Sequence, residues 1–433
     1  MSSKTVEIDV HHVTRIEGHA NIVVRASDGV VQRAQWQIPE APRFFEAMVR
    51  GRHWSEVQPI VSRICGICSI SHSLVSVKAT EDAFGIEVSE QTDKLRLLAH
   101  ISEQLQSHTL HVGYLVAPDL LGAKSVVPLA ASHPEVVKTV IRLHRIANNM
   151  SDLLGGRTTH PLTIVPGGFT MIPTEEDLKG LKSALEGSVP DFKTVADVVR
   201  SVAGKIPAFE RPTEYVALVK PGVYTFYHGD IGSTDSKTPV DVHEFESVAN
   251  EYVTPQSTAK WAKWHRDAYA VGALARFNLS ADHLSPMAVE AAKSFGLKKG
   301  CCNPFMNSVA QIVECFHLVE EALGLIDELL TAGLMPEKPR VTPREGVGAA
   351  AVEAPRGILF HKYDYDKNGV CRGAVCCIPT NQNHGNIQKD IEALVPKILD
   401  KPQEEIRLAL EMLVRAYDPC VSCSTHYLDV EFV

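Results

Sequence analysis

Apolar residues recur along this chain with two different periods. Between residues 6 and 38 they alternate with polar ones, through Ile22, Val24 and the pair Val30–Val31 around the turn Ser27-Asp28-Gly29. That period of two predicts a small antiparallel sheet. From Ser89 to about Val116 the spacing is helical: Leu95, Leu97, Leu98, Ile101, Leu105, Leu110 and Val112 mark a long, partly buried helix that stops before Pro118. The pattern repeats over Glu135–Leu154, closed by Gly155-Gly156, and over residues 175–204 and 310–332. These four stretches predict a central bundle. His108, His111 and His144 fall on them and read as packed, interhelical side chains. Residues 207–240 differ, with Tyr215–Val219, Gly222–Tyr227 and Gly229–Gly232 reading as short strands and turns of an inserted sheet lobe. Pro336–Pro343 is a polar, proline-rich connector, and a closing helix is predicted over Gln403–Tyr417.

The expected fold class is therefore α+β and mainly helical, a central long-helix bundle with small peripheral β-sheets. Its predicted segments are an N-terminal sheet region (1–88), a helical bundle (89–206), the β lobe (207–240), a helical continuation (241–335) and a C-terminal region (336–433). At 433 residues, 45% of them apolar, the chain has ample material for a large core. A formal net charge of -9 argues against nucleic acid or an anionic membrane as partner. No apolar run is long enough to predict a transmembrane segment, and Met1-Ser-Ser-Lys opens no secretory signal. Ten irregularly placed cysteines fit reduced thiols better than a disulfide framework, so the expected location is cytoplasmic.

Four of those cysteines change the picture. Arg63-Ile-Cys65-Gly-Ile-Cys68 lies near one end of the sequence and Asp418-Pro-Cys420-Val-Ser-Cys423 near the other, trailed by His72 and His426. A C-x-x-C turn aims two soft thiolates at one point, so two pairs make a four-sulfur metal site. A structural zinc site is the plain reading. Zinc ribbons, however, space their pairs by roughly 15 to 20 residues, because the metal closes a fold with little core of its own. Here about 350 residues intervene, in a chain that needs no metal staple, which favours a metal used for chemistry.

The two stretches resemble the metal-binding signatures of the nickel-iron hydrogenase large subunit, R-x-C-G-x-C-x-x-x-H and D-P-C-x-x-C-x-x-H. Further segments match that family: Arg15-Ile-Glu17-Gly-His19, Pro42-Arg43-Phe44-Phe45-Glu46 with Phe44 where glycine is usual, Ala354-Pro355-Arg356-Gly357, and Ile378-Pro-Thr380-Asn-Gln-Asn383. The resemblance implies a metal site buried between the N- and C-terminal segments. Nickel would be held by Cys65, Cys68, Cys420 and Cys423, with Cys68 and Cys423 bridging to an iron that carries carbon monoxide and cyanide. Arg356 with Pro355, and Thr380, match the positions that bind and cap those ligands, and His72 matches one that tunes a bridging sulfur. Glu17 matches the first proton relay, and with Arg356 and Cys423 completes the implied catalytic set. Glu46, His426 and a backbone carbonyl near Cys376 match the site of a Mg2+ or similar ion.

The activity implied is reversible heterolytic oxidation of H2 to protons and electrons. No remaining cysteines have iron-sulfur spacing, so no iron-sulfur cluster is expected in this chain. Electrons would leave through an iron-sulfur small subunit, and then a diaphorase or other electron-transfer subunit serving a soluble acceptor such as NAD(P). Nickel chaperones and a maturation endopeptidase are implied partners, the latter removing residues 427–433. The compact length, the Phe44 variant and the C-terminal signature look most like the multimeric cytosolic branch. A hydrogen sensor and a non-enzymatic zinc protein are the alternatives. The related subunit of respiratory NADH:quinone oxidoreductase has lost the four cysteines, all of which stand here.

Overall fold

A computed structural model describes residues 5–425 of the chain. Strands Thr5–Val10, Asn21–Ser27 and Val30–Gln37 form the predicted antiparallel meander. Val6, Ile8 and Val10 point inward from its first strand, and Glu7 and Asp9 outward. The helix Glu90–Leu110 begins at Ser89, whose Oγ accepts the Thr92 amide at 3.0 Å. Around it a closed ring of contacts runs through Pro134–Gly155, Glu175–Ser201 and Asn307–Ala332, giving the central bundle. Gly113 permits one tight crossing, since a Cβ there would lie 2.3 Å from Val140 Cγ1.

Two expectations need correction, and one sheet was not foreseen. The first long helix does not stop before Pro118. It widens into a π-helical turn over His111–Val116 and continues as Ala117–Leu121, with Pro118 in a first turn where its missing N–H is tolerated. The sheet lobe does not end at residue 240. Strands Glu214–Val219, Asp230–Ser233 and Ser236–Val240 are joined by Tyr269–Ala270, and a separate hairpin pairs Asn250–Thr254 with Ser257–Lys263. A register break between Ser257 and Trp261 spoils the alternation that would have marked that hairpin in the sequence. Finally, the C-terminal region holds a three-stranded antiparallel sheet, Gly346–Ala354, Gly357–Tyr365 and Cys371–Cys377, which the sequence pattern did not announce. Its first strand is buried along most of its length, so an alanine-rich run conceals the period of two.

That sheet lies against the helix Ser69–Phe84 with no room for side chains at the crossing. A Cβ on Gly348 would stand 2.2 Å from the Ala79 carbonyl oxygen and 2.3 Å from Ala83 N. The main core draws on Val24, Leu98, Tyr215, Ala275 and Leu413, so all five sequence segments share it. A smaller core joins the lobe strands to the C-terminal sheet through Val216, Ile231, Ile358 and Phe360. Among the described residues no single helix is long and apolar enough to cross a membrane.

Glycine substitutions test this packing. Gly348→Ala is expected to lower unfolding stability by about 1–3 kcal/mol, because the obstruction is backbone that cannot rotate away. Gly187→Ala, in open space on the exposed face of the Glu175–Ser201 helix, is expected to raise it by up to about 1 kcal/mol. Urea midpoints of the two variants should move in opposite directions.

Candidate metal centre

The first cysteine pair is made by a turn and a helix start. A 3-10 turn over Ser62–Ile64 delivers Cys65, and Cys68 stands immediately before the helix Ser69–Phe84. The amides of Ile67 and Cys68 fold back on Cys65 Sγ at 3.3 and 3.1 Å. The second pair flanks and enters the short helix Val421–Ser424. All four thiols are buried, and their Sγ atoms lie within 4.8 Å of one another, with Cys65 and Cys420 3.6 Å apart.

Backbone contacts bring the two ends of the chain to this point. Glu17 pairs with Cys420 in a parallel bridge, and Val421 N donates to the Glu17 carbonyl at 2.9 Å. Arg43 Nη2 donates to the Ile64 carbonyl at 2.7 Å and also to the Ser422 carbonyl, so one guanidinium ties a residue of each cysteine segment. Arg415 Nη1 donates to the Thr14 carbonyl at 2.9 Å. Arg15 and Asp418 adopt left-handed φ values of 60° and 50°. Such conformations cost roughly 1–2 kcal/mol and persist only where neighbours hold them. Asp119 binds Arg15 at 2.5 Å, while Arg356 and Gln311 bind the Asp418 carboxylate at 3.0 and 3.2 Å.

Electrostatics single out this cluster. Burial raises the Cys420 and Cys423 thiols well above their ordinary range. At Cys65 burial acts in the same direction, but hydrogen bonds from the three neighbouring sulfurs outweigh it and hold its thiol well below that range. Four thiolates in so small a volume need positive charge among them. Arg356 supplies some. Burial works against its charge, yet Asp418 and the sulfurs of Cys420, Cys68 and Cys65 keep it a guanidinium.

Arg356 occupies the two-residue tip between Ala354 and Gly357, in the hairpin of strands Gly346–Ala354 and Gly357–Tyr365. Its Nε donates to the Asp418 carbonyl at 2.6 Å, and its buried Nη1 has no protein partner among the described residues. The preceding carbonyls of Ala354 and Pro355 accept from Arg276 at 3.2 and 3.3 Å. Thr380 Oγ1 accepts the Cys420 amide at 3.0 Å. Cys420 Sγ donates to Glu17 Oε2 at 3.1 Å, and Ser422 Oγ donates to Glu17 Oε1. His72 is fully buried one turn after Cys68, with Nδ1 3.2 Å from His361 Nε2. Glu46 is buried beside the strand Cys371–Cys377, where its Oε1 accepts the Cys376 amide at 2.7 Å. His426 and the tail 427–433 lie outside the described residues.

Several contributors escape motif reading. Glu103 accepts the Ile70 and Ser71 amides at 2.5 and 3.0 Å, satisfying the first turn of the helix after Cys68. Burial pushes its carboxyl up to about 8. A carboxylate inside the apolar stripe of the Glu90 helix is a signal that could have revealed it. Arg276, which steadies the Ala354-Pro355 carbonyls, is itself held by Glu314 and Glu353 at 2.7 and 2.8 Å, all three fully buried. His361 hydrogen-bonds Tyr363 Oη at 2.6 Å behind His72. No local sequence feature marks these partners.

The donor set fits a nickel-iron group: four soft sulfurs, and a planar cation with an unpartnered N–H beside them. Comparison with known proteins agrees. The family described as nickel-dependent hydrogenase matches residues 43–140 and 223–426, and a HoxL-like family matches residues 7–41. The chain is 30% identical over 430 residues to sulfhydrogenase 1 subunit alpha of Pyrococcus furiosus, covering 98% of this chain and 99% of that protein. It is 29% identical over 470 residues to the NAD-reducing hydrogenase HoxS subunit beta of Cupriavidus necator, covering 99% and 96%. It superposes on an NAD+-reducing NiFe hydrogenase in the H2-reduced state with a TM-score of 0.84 at 25% identity, over 97% of this chain and 99% of that one. The Ni-Fe-Se hydrogenase of D. vulgaris Hildenborough shares the fold, with a TM-score of 0.78 at 24% identity over 98% and 100%. With both cysteine segments and the fold between them matched, the chain belongs to the nickel-dependent hydrogenase large-subunit family and is an oxidoreductase acting on hydrogen.

Proposed function

We propose that this chain oxidises H2 to two protons and two electrons, reversibly, at a nickel-iron centre in the four-sulfur pocket, and that Glu17 takes the proton from Cys420. The observation that carries the assignment is the contact of Glu17 Oε2 with Cys420 Sγ at 3.1 Å, in a cluster that is otherwise closed. When bound, a nickel-iron group with carbon monoxide and cyanide on iron supplies the polarisation and redox capacity for splitting H2.

The protein's part is to hold, charge and drain that site. Cys65, Cys68, Cys420 and Cys423 would hold the nickel-iron group through their sulfurs, and Cys423 would stand with Glu17 and Arg356 in the reacting set. Arg356 Nη1 is a donor without a protein acceptor, suited to a cyanide nitrogen that no water reaches. Pro355 fixes the turn that aims it. Because Thr380 Oγ1 accepts from the Cys420 amide, its own hydroxyl proton is left to serve a second acceptor. His72, oriented by His361, tunes the nearby bridging sulfur. Glu17 lies within hydrogen-bond reach of the thiol it deprotonates, with Ser422 holding its other oxygen.

Glu46, the backbone at Cys376 and His426 would bind Mg2+ or a similar divalent ion and so link the C-terminal segment to the N-terminal region. Electrons pass to an iron-sulfur small subunit and then to a diaphorase or comparable subunit, with NAD(P) the favoured soluble acceptor given the NAD-reducing relatives. Nickel chaperones load the site, an endopeptidase then removes residues 427–433, and the assembly works in the cytoplasm.

Glu17→Gln is expected to keep nickel and iron while H2 oxidation and H2/D2O exchange fall by roughly 100-fold or more. Unchanged exchange would remove Glu17 from the relay. Arg356→Lys preserves charge but loses the planar donors, and turnover is expected to fall about 100-fold with metal retained; a lysine variant of normal rate contradicts the assignment. Elemental analysis of the purified wild type should find nickel and iron in equal amounts, while Cys420→Ser should lack nickel and keep its tail by intact mass. Zinc in the wild type would sink the hydrogenase reading.

A further inference from the structure

Past Glu17 a polar trail continues to the surface. Ser422 holds both oxygens of Glu17, its Oγ donating to Oε1 and its amide to Oε2 at 3.1 Å. On the other side of Gly18 stands a second carboxylate, Glu40. A Cβ at Gly18 would lie 2.7 Å from Glu40 Oε2 and 2.7 Å from Ser422 N, and its φ is +85°. Only glycine fits there, and its bare Cα lets Glu40 and Ser422 approach within the span of one water. Glu40 is fixed from two sides: the His19 amide donates to Oε2 at 2.8 Å, and Thr258 Oγ1 donates to the Glu40 carbonyl at 2.5 Å. It is half-buried, whereas His11, His12 and His19 around it are exposed. The rings of His12 and His19 are 4.8 Å apart, and His19 Nε2 lies 2.9 Å from the His11 carbonyl oxygen.

We propose that Glu40 is the outer carboxylate of a proton exit, receiving the proton of Glu17 by way of Ser422 and releasing it to water among His11, His12 and His19. The proposal rests on Glu17 accepting the Cys420 proton. The thiol proton goes to Glu17 Oε2. The protonated Glu17 carboxyl then rotates about Cγ–Cδ to bring that proton to Ser422 Oγ, whose own O–H turns from Glu17 to a water against Glu40. Ser422 passes its hydroxyl proton to that water as it takes the one from Glu17, and remains a hydroxyl. The Glu40 carboxylate takes that proton and yields it to water at the exposed histidine rim. No electron moves along this route. Gly18 is a positioning residue in it, since any side chain there would push Glu40 away from Ser422.

The test compares wild type, Glu17→Gln, Glu40→Gln and Glu40→Asp in the assembled, metal-loaded enzyme. Glu40→Gln should match wild type in nickel, iron and tail removal, yet lose roughly tenfold or more in H2/D2O exchange. High concentrations of imidazole or acetate buffer should restore part of that loss and leave wild type unaffected. Glu40→Asp should keep most of the rate. In infrared difference spectra between oxidised and H2-reduced enzyme, Glu40→Gln should lack one deuterium-sensitive carboxylic C=O band that wild type shows. The proposal is overturned if Glu40→Gln exchanges like wild type while Glu17→Gln is inactive, if its loss is not relieved by any buffer, or if the carboxylic bands are unchanged. A wild type without nickel or exchange would instead overturn the hydrogenase reading beneath it.

Discussion

Four sulfurs within 4.8 Å of one another, sealed from water, are the constraint on which the rest of this structure depends. In water each thiol would find its own balance of proton and charge. Buried together, they are stable as thiolates only around a cation, with a further positive group beside them. Arg356 is that group, and Asp418 is its counterion, fixed in a left-handed conformation two residues before Cys420. The metal ligands, the guanidinium and its counterion thus form one electrostatic unit, and each part needs the others at its position.

Arginines, two of the three fully buried, assemble this unit mechanically as well as electrically. Arg43 bridges the carbonyls of Ile64 and Ser422, Arg276 holds those of Ala354 and Pro355, and Arg415 reaches Thr14. A guanidinium offers five donors in a rigid plane, so one side chain can satisfy the carbonyls of two segments that no regular sheet or helix joins. The segments concerned carry the cysteine pairs, the Arg356 turn and the residues leading to Glu17. Carboxylates in turn hold the arginines: Asp119 binds Arg15 and Arg415, and Glu314 and Glu353 bind Arg276. The long helices supply a rigid frame for these clamps, and Glu103 and Glu314 come from their buried faces.

The same packing sets how the site meets solvent. Glu17 pairs with Cys420 in an isolated bridge and Gly18 follows it, so the carboxylate against the thiol and the glycine that lets Glu40 and Ser422 come close are adjacent residues. His72, by contrast, is backed by His361 and Tyr363 in full burial, while Glu17 is only half-buried.

The sequence by itself pointed to the four cysteines that the structure brings together, to Glu17, Arg356 and Thr380 beside them, and to the long helices, because each of these signals is local. A C-x-x-C turn, a period of 3.6 or a short signature is complete within a few residues. It did not reveal the C-terminal sheet, whose buried first strand lacks alternation, nor the hairpin of residues 250–263, whose register is broken. Nor could it name Glu103 or Arg276 as partners of the site, or show that Arg43 clamps both cysteine segments and Asp418 pairs with Arg356. Those roles arise only when segments hundreds of residues apart share one dry volume, where an unmatched charge or carbonyl is costly and the nearest complementary group, wherever it stands in the chain, becomes part of the centre.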